Sequence, residues 1–197
     1  MGIVGIGATI VVDQALADPT LPSVVVAGTA VSLFGASAGF VLGWAQWFVL
    51  RGCLPTIRAR NWVAATAIGG VFSWLFAMTP NMAVGLTASN ASSSPAFGVA
   101  GLLAIAVAAG AASGIGLSAP QFFVLRSNVK YAGWWLGANA LAWMIVTPPY
   151  LTAVESMART NSLPLALLGT LGAAGITGSL AGCIHGRVLV RLVKTRV

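Results

Sequence analysis

The chain has 197 residues, 58% of them hydrophobic and only 7% charged, and a mean hydropathy of +0.93. So few polar side chains cannot cover a soluble globule, which makes a lipid bilayer the expected solvent. The net charge of +7 does not point to nucleic acid, because no basic run is interleaved with stacking aromatics and the charges fall between apolar spans, as membrane topology requires.

An apolar run from Ile3 to Val12 opens the chain, and Ala15-Leu16-Ala17 after it has the form of a signal-peptide cleavage site. The run lacks a cationic start and Asp13 interrupts the approach to that site, so a short first segment at 2–12 is the preferred reading. Longer apolar spans follow at 23–50, 62–86, 97–125, 132–153 and 164–190, each holding the roughly 20 residues that a bilayer crossing needs. The connectors are Asp18 to Pro22, Pro55 to Arg60, Ser89 to Pro95, Arg126 to Lys130 and Glu155 to Asn161, none long enough for a second domain. One transmembrane domain over 1–197 is therefore expected. Within the spans, Pro120 is expected to kink its helix, whereas Pro148-Pro149 is expected to end the fifth span.

Arg51, Arg58, Arg60, Arg126, Lys130, Arg187, Arg191, Lys194 and Arg196 fall on one side of this scheme, against Arg159, Asp13, Asp18 and Glu155 on the other. Arg159 follows Glu155 at the spacing of a helical ion pair. The positive-inside rule then puts the C-terminus and the loops after spans two and four in the cytoplasm. A bacterial inner or thylakoid membrane is the expected location. Trp47, Trp62, Trp134 and Trp135 lie beside Arg51, Arg60, Arg126 and Lys130 and read as an aromatic belt with basic anchors at the interface.

A helical signature recurs at Gly39 to Arg51, at Gly114 to Arg126 and, more faintly, at Gly178 to Arg191. Aligning Gln46, Gln121 and His185 gives spacings of 75 and 64 residues, and the partner spans echo each other through Trp62 and Trp135 and through Ala65 and Ala138. The unit is a helical hairpin, written at about 1–51, 62–126 and 132–191. Met1 falls where the middle of the first unit's opening helix should be, so either a start upstream or an opening half-helix is expected. Gly35, Gly39, Gly43, Gln46 and Leu50 share one helix face. The same face recurs as Gly110, Gly114, Ser118, Gln121 and Leu125, and again as Ala174, Gly178, Gly182, His185 and Leu189. Small residues every fourth position let helix backbones approach in lipid, so the three seams are expected to form an inner ring around an approximate threefold axis.

Gln46, Gln121 and His185 are costly in hydrocarbon unless they hydrogen-bond, so they are expected to point inward. Helix-to-helix hydrogen bonding, a ligand- or pore-lining role, and axial ligation of a chlorophyll-type pigment by His185 all remain open. No metal site is expected, since glutamine is a poor transition-metal ligand, and Cys53 and Cys183 read as free thiols. Asn90-Ala91-Ser92 matches a glycosylation sequon of the kind a Ser/Asn-rich loop produces by chance. The five longer spans carry no carboxylate, and the chain holds neither an H-E-x-x-H motif nor a P-loop.

The string Gly-x-x-Gln-Trp-Phe-Val-Leu-Arg at 43–51, followed by Trp62 and a Gly-containing span, resembles a broad set of uncharacterised bacterial membrane proteins. Many of these are cyanobacterial and carry repeated Gln-Trp-Leu-Val-Leu-Arg hairpins. The resemblance covers residues 35–85 and 110–145 well and the last span weakly, where His185 stands for Gln and Gly186-Arg187 for the aromatic pair. It implies the hairpin fold and no activity. The function expected is a non-enzymatic structural or accessory subunit of a larger membrane assembly, with lipid and other membrane subunits as partners and no cofactor. The alternatives are a small channel or transporter lined by Gln46, Gln121 and His185, and a pigment- or lipid-binding protein.

Overall fold

The computed structural model describes residues 21–88, 98–158 and 162–194. Expectations for the first span, the A-x-A site, the sequon at Asn90 and the Glu155–Arg159 pair fall outside the described residues or side chains. The described chain is all helical, with α1 Leu21–Cys53, α2 Ala59–Ala88, α3 Val99–Leu125, α4 Gly133–Ala158 and α5 Leu163–Val193.

The apolar runs explain these elements, and their ends follow local chemistry. α1 stops two residues before Pro55, which cannot continue a helix. α5 starts after the extended Ser162, with Pro164 in its first turn, where the missing N–H costs nothing. α3 runs unbroken through Pro120. α4 likewise runs through Pro148 and Pro149 to Ala158, correcting the expectation that the proline pair ends the span. A proline ring already holds the helical φ, so what is lost is two donors, those otherwise reaching the carbonyls of Met144 and Ile145. The apolar residues on both sides still gain by keeping their own backbone groups paired in the helix.

Three of the five helices, over Val25–Cys53, Ala100–Leu125 and Pro164–Val193, are long and apolar enough to cross a membrane. α2 and α4 match them in length, at 30 and 26 residues, but carry Arg60, Asn61, Thr66 and Ser73 or Asn139, Thr147 and the two prolines along their course. The expected six spans thus reduce to three helices of spanning character among the described residues.

Each helix packs on the next one in sequence, α1 on α2, α2 on α3, α3 on α4 and α4 on α5. The glycine seams lie in these contacts. A methyl group built on Gly35 would stand 2.6 Å from the carbonyl oxygen of Gly70, and one on Gly39 would strike the carbonyl oxygen of Thr66. Seventy-five residues on, Gly110 and Gly114 meet the carbonyls of Trp143 and Asn139 in the same way. The glycines of the first two seams therefore face the following helix, α2 or α4, whereas an inner ring would have turned them toward each other. The physical reason is that a backbone, the flattest available surface, fills the groove a glycine row leaves.

At the end where α1, α3 and α5 finish, one hydrophobic core gathers Leu50, Leu54, Ile57 and Trp62 with Leu125, Val129, Ala132 and Trp135, and Leu192 of α5. The chain reverses there through tight turns that match between the α1–α2 and α3–α4 connections, Leu54 N–H to Leu50 O and Val129 N–H to Leu125 O. Leu189, the residue aligned with Leu50 and Leu125, packs against this core from its edge, and Leu192, one turn later, takes the buried place.

Candidate functional site

The connector between α1 and α2 is short and held in place by its own core. Leu54 and Ile57 are buried in it, and Trp47 Nε1 donates to the Ile57 carbonyl at 3.2 Å. This turn brings the first residues of α2 beside the last turns of α1, so Trp62 lies against Gln46. The α3–α4 connector does the same for Trp135 and Gln121. Thr56 Oγ1 donates to Asn128 Oδ1, which ties the two connectors together.

The side chains that meet here form one polar network inside an otherwise apolar bundle. Trp62 Nε1 donates to Gln46 Oε1 at 3.2 Å, and Trp135 Nε1 donates to Gln121 Oε1 at 2.8 Å. Gln121 Nε2 then donates to Gln46 Oε1 at 3.0 Å and to Thr66 Oγ1 at 2.9 Å. Thr66 Oγ1 donates to the Trp62 carbonyl at 2.8 Å, and Asn139 Nδ2 donates to the Trp135 carbonyl at 2.9 Å, the matching bond on α4. Gln121, Thr66, Asn139 and both tryptophans are almost completely buried, where an unpaired polar atom would carry its full desolvation penalty.

Gln46 and Gln121 are therefore brought together as expected. His185 is joined to them through a ring contact, its centroid 5.4 Å from that of Trp135, which in turn lies 6.2 Å from Trp62. Its Nε2 atom is buried and has no hydrogen-bond partner among the described residues, and the same is true of Asn139 Oδ1.

Of the packing residues, Gly35, Gly39, Gly43, Gly110 and Gly114 all touch the following helix, while Gly178 and Gly182 of α5 face open space. Two expected interface anchors are corrected: Trp62 and Trp135 are buried indoles hydrogen-bonded to glutamines, because an indole N–H withdrawn from water needs an acceptor and Gln46 or Gln121 supplies it. Trp134 is exposed, and Trp47 is partly buried with Arg51 stacked over its ring. Sequence reasoning missed Thr66 and Asn139. Each stands four residues after its tryptophan, the i to i+4 spacing that returns a side chain to the same helix face, and this was the signal available.

Comparison with protein-family models, with curated proteins and with solved structures finds no match to this chain. The site has to be judged on its chemistry. Among the described residues, no three His, Cys, Asp or Glu side chains gather as metal ligands would. The network contains amides, a hydroxyl and indoles, groups that exchange hydrogen bonds and have neither nucleophilic nor acid–base strength near neutral pH. What such an arrangement does well is brace α1, α2, α3 and α4 against one another at one depth.

Proposed function

We propose that the chain is an integral protein of a bacterial inner or thylakoid membrane that acts as a non-enzymatic structural or accessory subunit of a larger membrane assembly. In this reading three hairpins surround an approximate threefold axis, with the C-terminus on the cytoplasmic side. It belongs beside the bacterial membrane proteins that carry repeated Gln-Trp hairpins.

The observation that carries the proposal is where the polar atoms go. Gln46 Oε1 accepts two hydrogen bonds, and Gln121 uses both its oxygen and its nitrogen within the bundle. A pore lining would leave those groups facing water, so the channel alternative loses Gln46 and Gln121, two of its three lining residues, to internal bracing. The pigment alternative requires His185 Nε2 to be open to a macrocycle, and that atom is buried among the described residues. α5 supports the subunit reading from the other side. Its small-residue face at Gly175, Gly178 and Gly182 has none of the described residues packed on it, although the same faces of α1 and α3 are covered by a helix.

The test is purification of the natively expressed full chain in mild detergent, followed by native-gel migration and analysis of the proteins that travel with it. Defined partner subunits that dissociate or fail to assemble when the gene is deleted are the expected result. A chain that migrates alone and supports selective ion flux after reconstitution into liposomes would overturn the proposal in favour of a channel.

A further inference from the structure

All eight basic side chains among the described residues, Arg51, Arg58, Arg60, Arg126, Lys130, Arg187, Arg191 and Lys194, are exposed. They cluster toward the end of the bundle where α1, α3 and α5 finish and α2 and α4 begin. No carboxylate is described at that end. The connectors there are not loose: the Thr56–Asn128 hydrogen bond and the shared core under Leu54, Val129 and Leu192 hold this end together as one plate. A fixed concentration of positive charge with no internal counter-ion attracts an external polyanion.

Two of these cations are held in a way that identifies the anion. The Arg51 guanidinium lies 4.7 Å from the Phe48 ring centroid and 5.4 Å from that of Trp47. Arg126 lies 5.0 Å from the Phe123 centroid. Phe48 and Phe123 occur 75 residues apart and are 55% and 59% exposed, so each arginine sits on an outward-facing ring on the flank of its helix, within about a turn and a half of the helix end. An acidic soluble partner would approach the plate along the bundle axis and meet Arg58, Arg60 and Lys130. A phospholipid instead presents acyl chains to the phenylalanine and a phosphate to the guanidinium at the same lateral position. We infer that Arg51 with Phe48, and Arg126 with Phe123, form two equivalent sites for the headgroup of an anionic phospholipid of the cytoplasmic leaflet. The inference rests on the membrane placement proposed above.

Its test is the melting of the full chain reconstituted in phosphatidylcholine vesicles and in vesicles containing an equimolar share of phosphatidylglycerol. Wild type should melt several degrees higher with phosphatidylglycerol, and Arg51→Gln combined with Arg126→Gln should lose most of that gain. Arg58→Gln combined with Arg60→Gln should keep most of it. Each variant's own melt in phosphatidylcholine is its reference, so a general loss of stability does not imitate the effect. Inorganic phosphate added to phosphatidylcholine vesicles should give no gain, and an equal gain there would make the site a free-anion site. Equal melting in the two lipids, or a loss confined to the Arg58 and Arg60 variant, would overturn the assignment. Failure to insert into either vesicle would instead refute the membrane reading itself.

Discussion

Gln121 donates from Nε2 to Gln46 Oε1 across 3.0 Å, joining two helices through residues that stand 75 positions apart and occupy the same place in matching hairpins. Because Trp62, Thr66 and Trp135 hang on the same two amides, this one contact links four helices. Removing it should expose how much of the fold depends on polar bracing.

Gln121→Leu keeps the volume of the side chain but leaves the Trp135 indole N–H buried without an acceptor. An unsatisfied buried donor costs about 1–3 kcal/mol, and the Gln46 oxygen loses one of its two donors as well. A clear fall in the detergent melting temperature is expected. Gln46→Leu also leaves a buried indole, that of Trp62, without its acceptor, but should cost less, since Gln46 is only half-buried, the Trp62 bond is longer at 3.2 Å, and Gln121 retains both Thr66 and Trp135. Equal tolerance of both substitutions would mean that the bundle is held by apolar packing alone.

The seam glycines separate into two groups. At Gly39 and Gly114 an added methyl would run into the carbonyl of Thr66 or Asn139 on the neighbouring helix, whereas at Gly178 it meets nothing within 4 Å. Overpacking of this kind costs about 1–3 kcal/mol, so Gly39→Ala and Gly114→Ala should each lower the melting temperature and Gly178→Ala should leave it unchanged. Phe40→Ala, on the exposed face of α1, serves as the control. A drop for Gly178→Ala in the isolated protein would indicate that its face is covered after all.

Much of this arrangement was legible in the sequence. The Gln46, Gln121 and His185 columns, the glycine rows and the matching of Trp62 with Trp135 all come from hairpin units of similar length, and helical periodicity places them on faces without any tertiary knowledge. The direction of those faces was not legible. A small-residue row packs equally well on an inner ring or on the next helix, and only the tight turns at Leu54 and Val129 decide that α2 and α4 lie there. Trp62 and Trp135 misled for a related reason. A tryptophan beside an arginine at a span boundary looks alike in sequence whether its indole faces the headgroups or an internal glutamine.

Sidedness follows from the charges and can be read directly. In a chain with Cys53 and Cys183 changed to alanine, single cysteines at Ser127, after α3, and at Ser162, before α5, should label from opposite sides of the membrane. Ser127 is expected on the cytoplasmic side, next to Arg126 and Lys130. Labelling of both from one side would remove the orientation and with it the hairpin scheme.

The last test falls on His185, where α5 departs from the pattern that α1 and α3 share. In the alignment His185 stands to Asn139 as Gln121 stands to Thr66, and Gln121 donates to Thr66 at 2.9 Å. His185 Nε2 and Asn139 Oδ1 instead lie buried without hydrogen-bond partners among the described residues. Glutamine at this position has a longer, more flexible reach and carries an amide N–H₂ that can donate to Asn139 while its oxygen stays free for another donor. His185→Gln should therefore be neutral or stabilising by about 1 kcal/mol, the net worth of one added hydrogen bond. The gain should vanish when Asn139→Leu is combined with it, a double-mutant cycle that isolates the pair. A substantial loss of stability on His185→Gln would show that the imidazole has a partner of its own. Loss of a visible absorbance band from the purified protein on the same substitution would identify that partner as a pigment and overturn the bracing role.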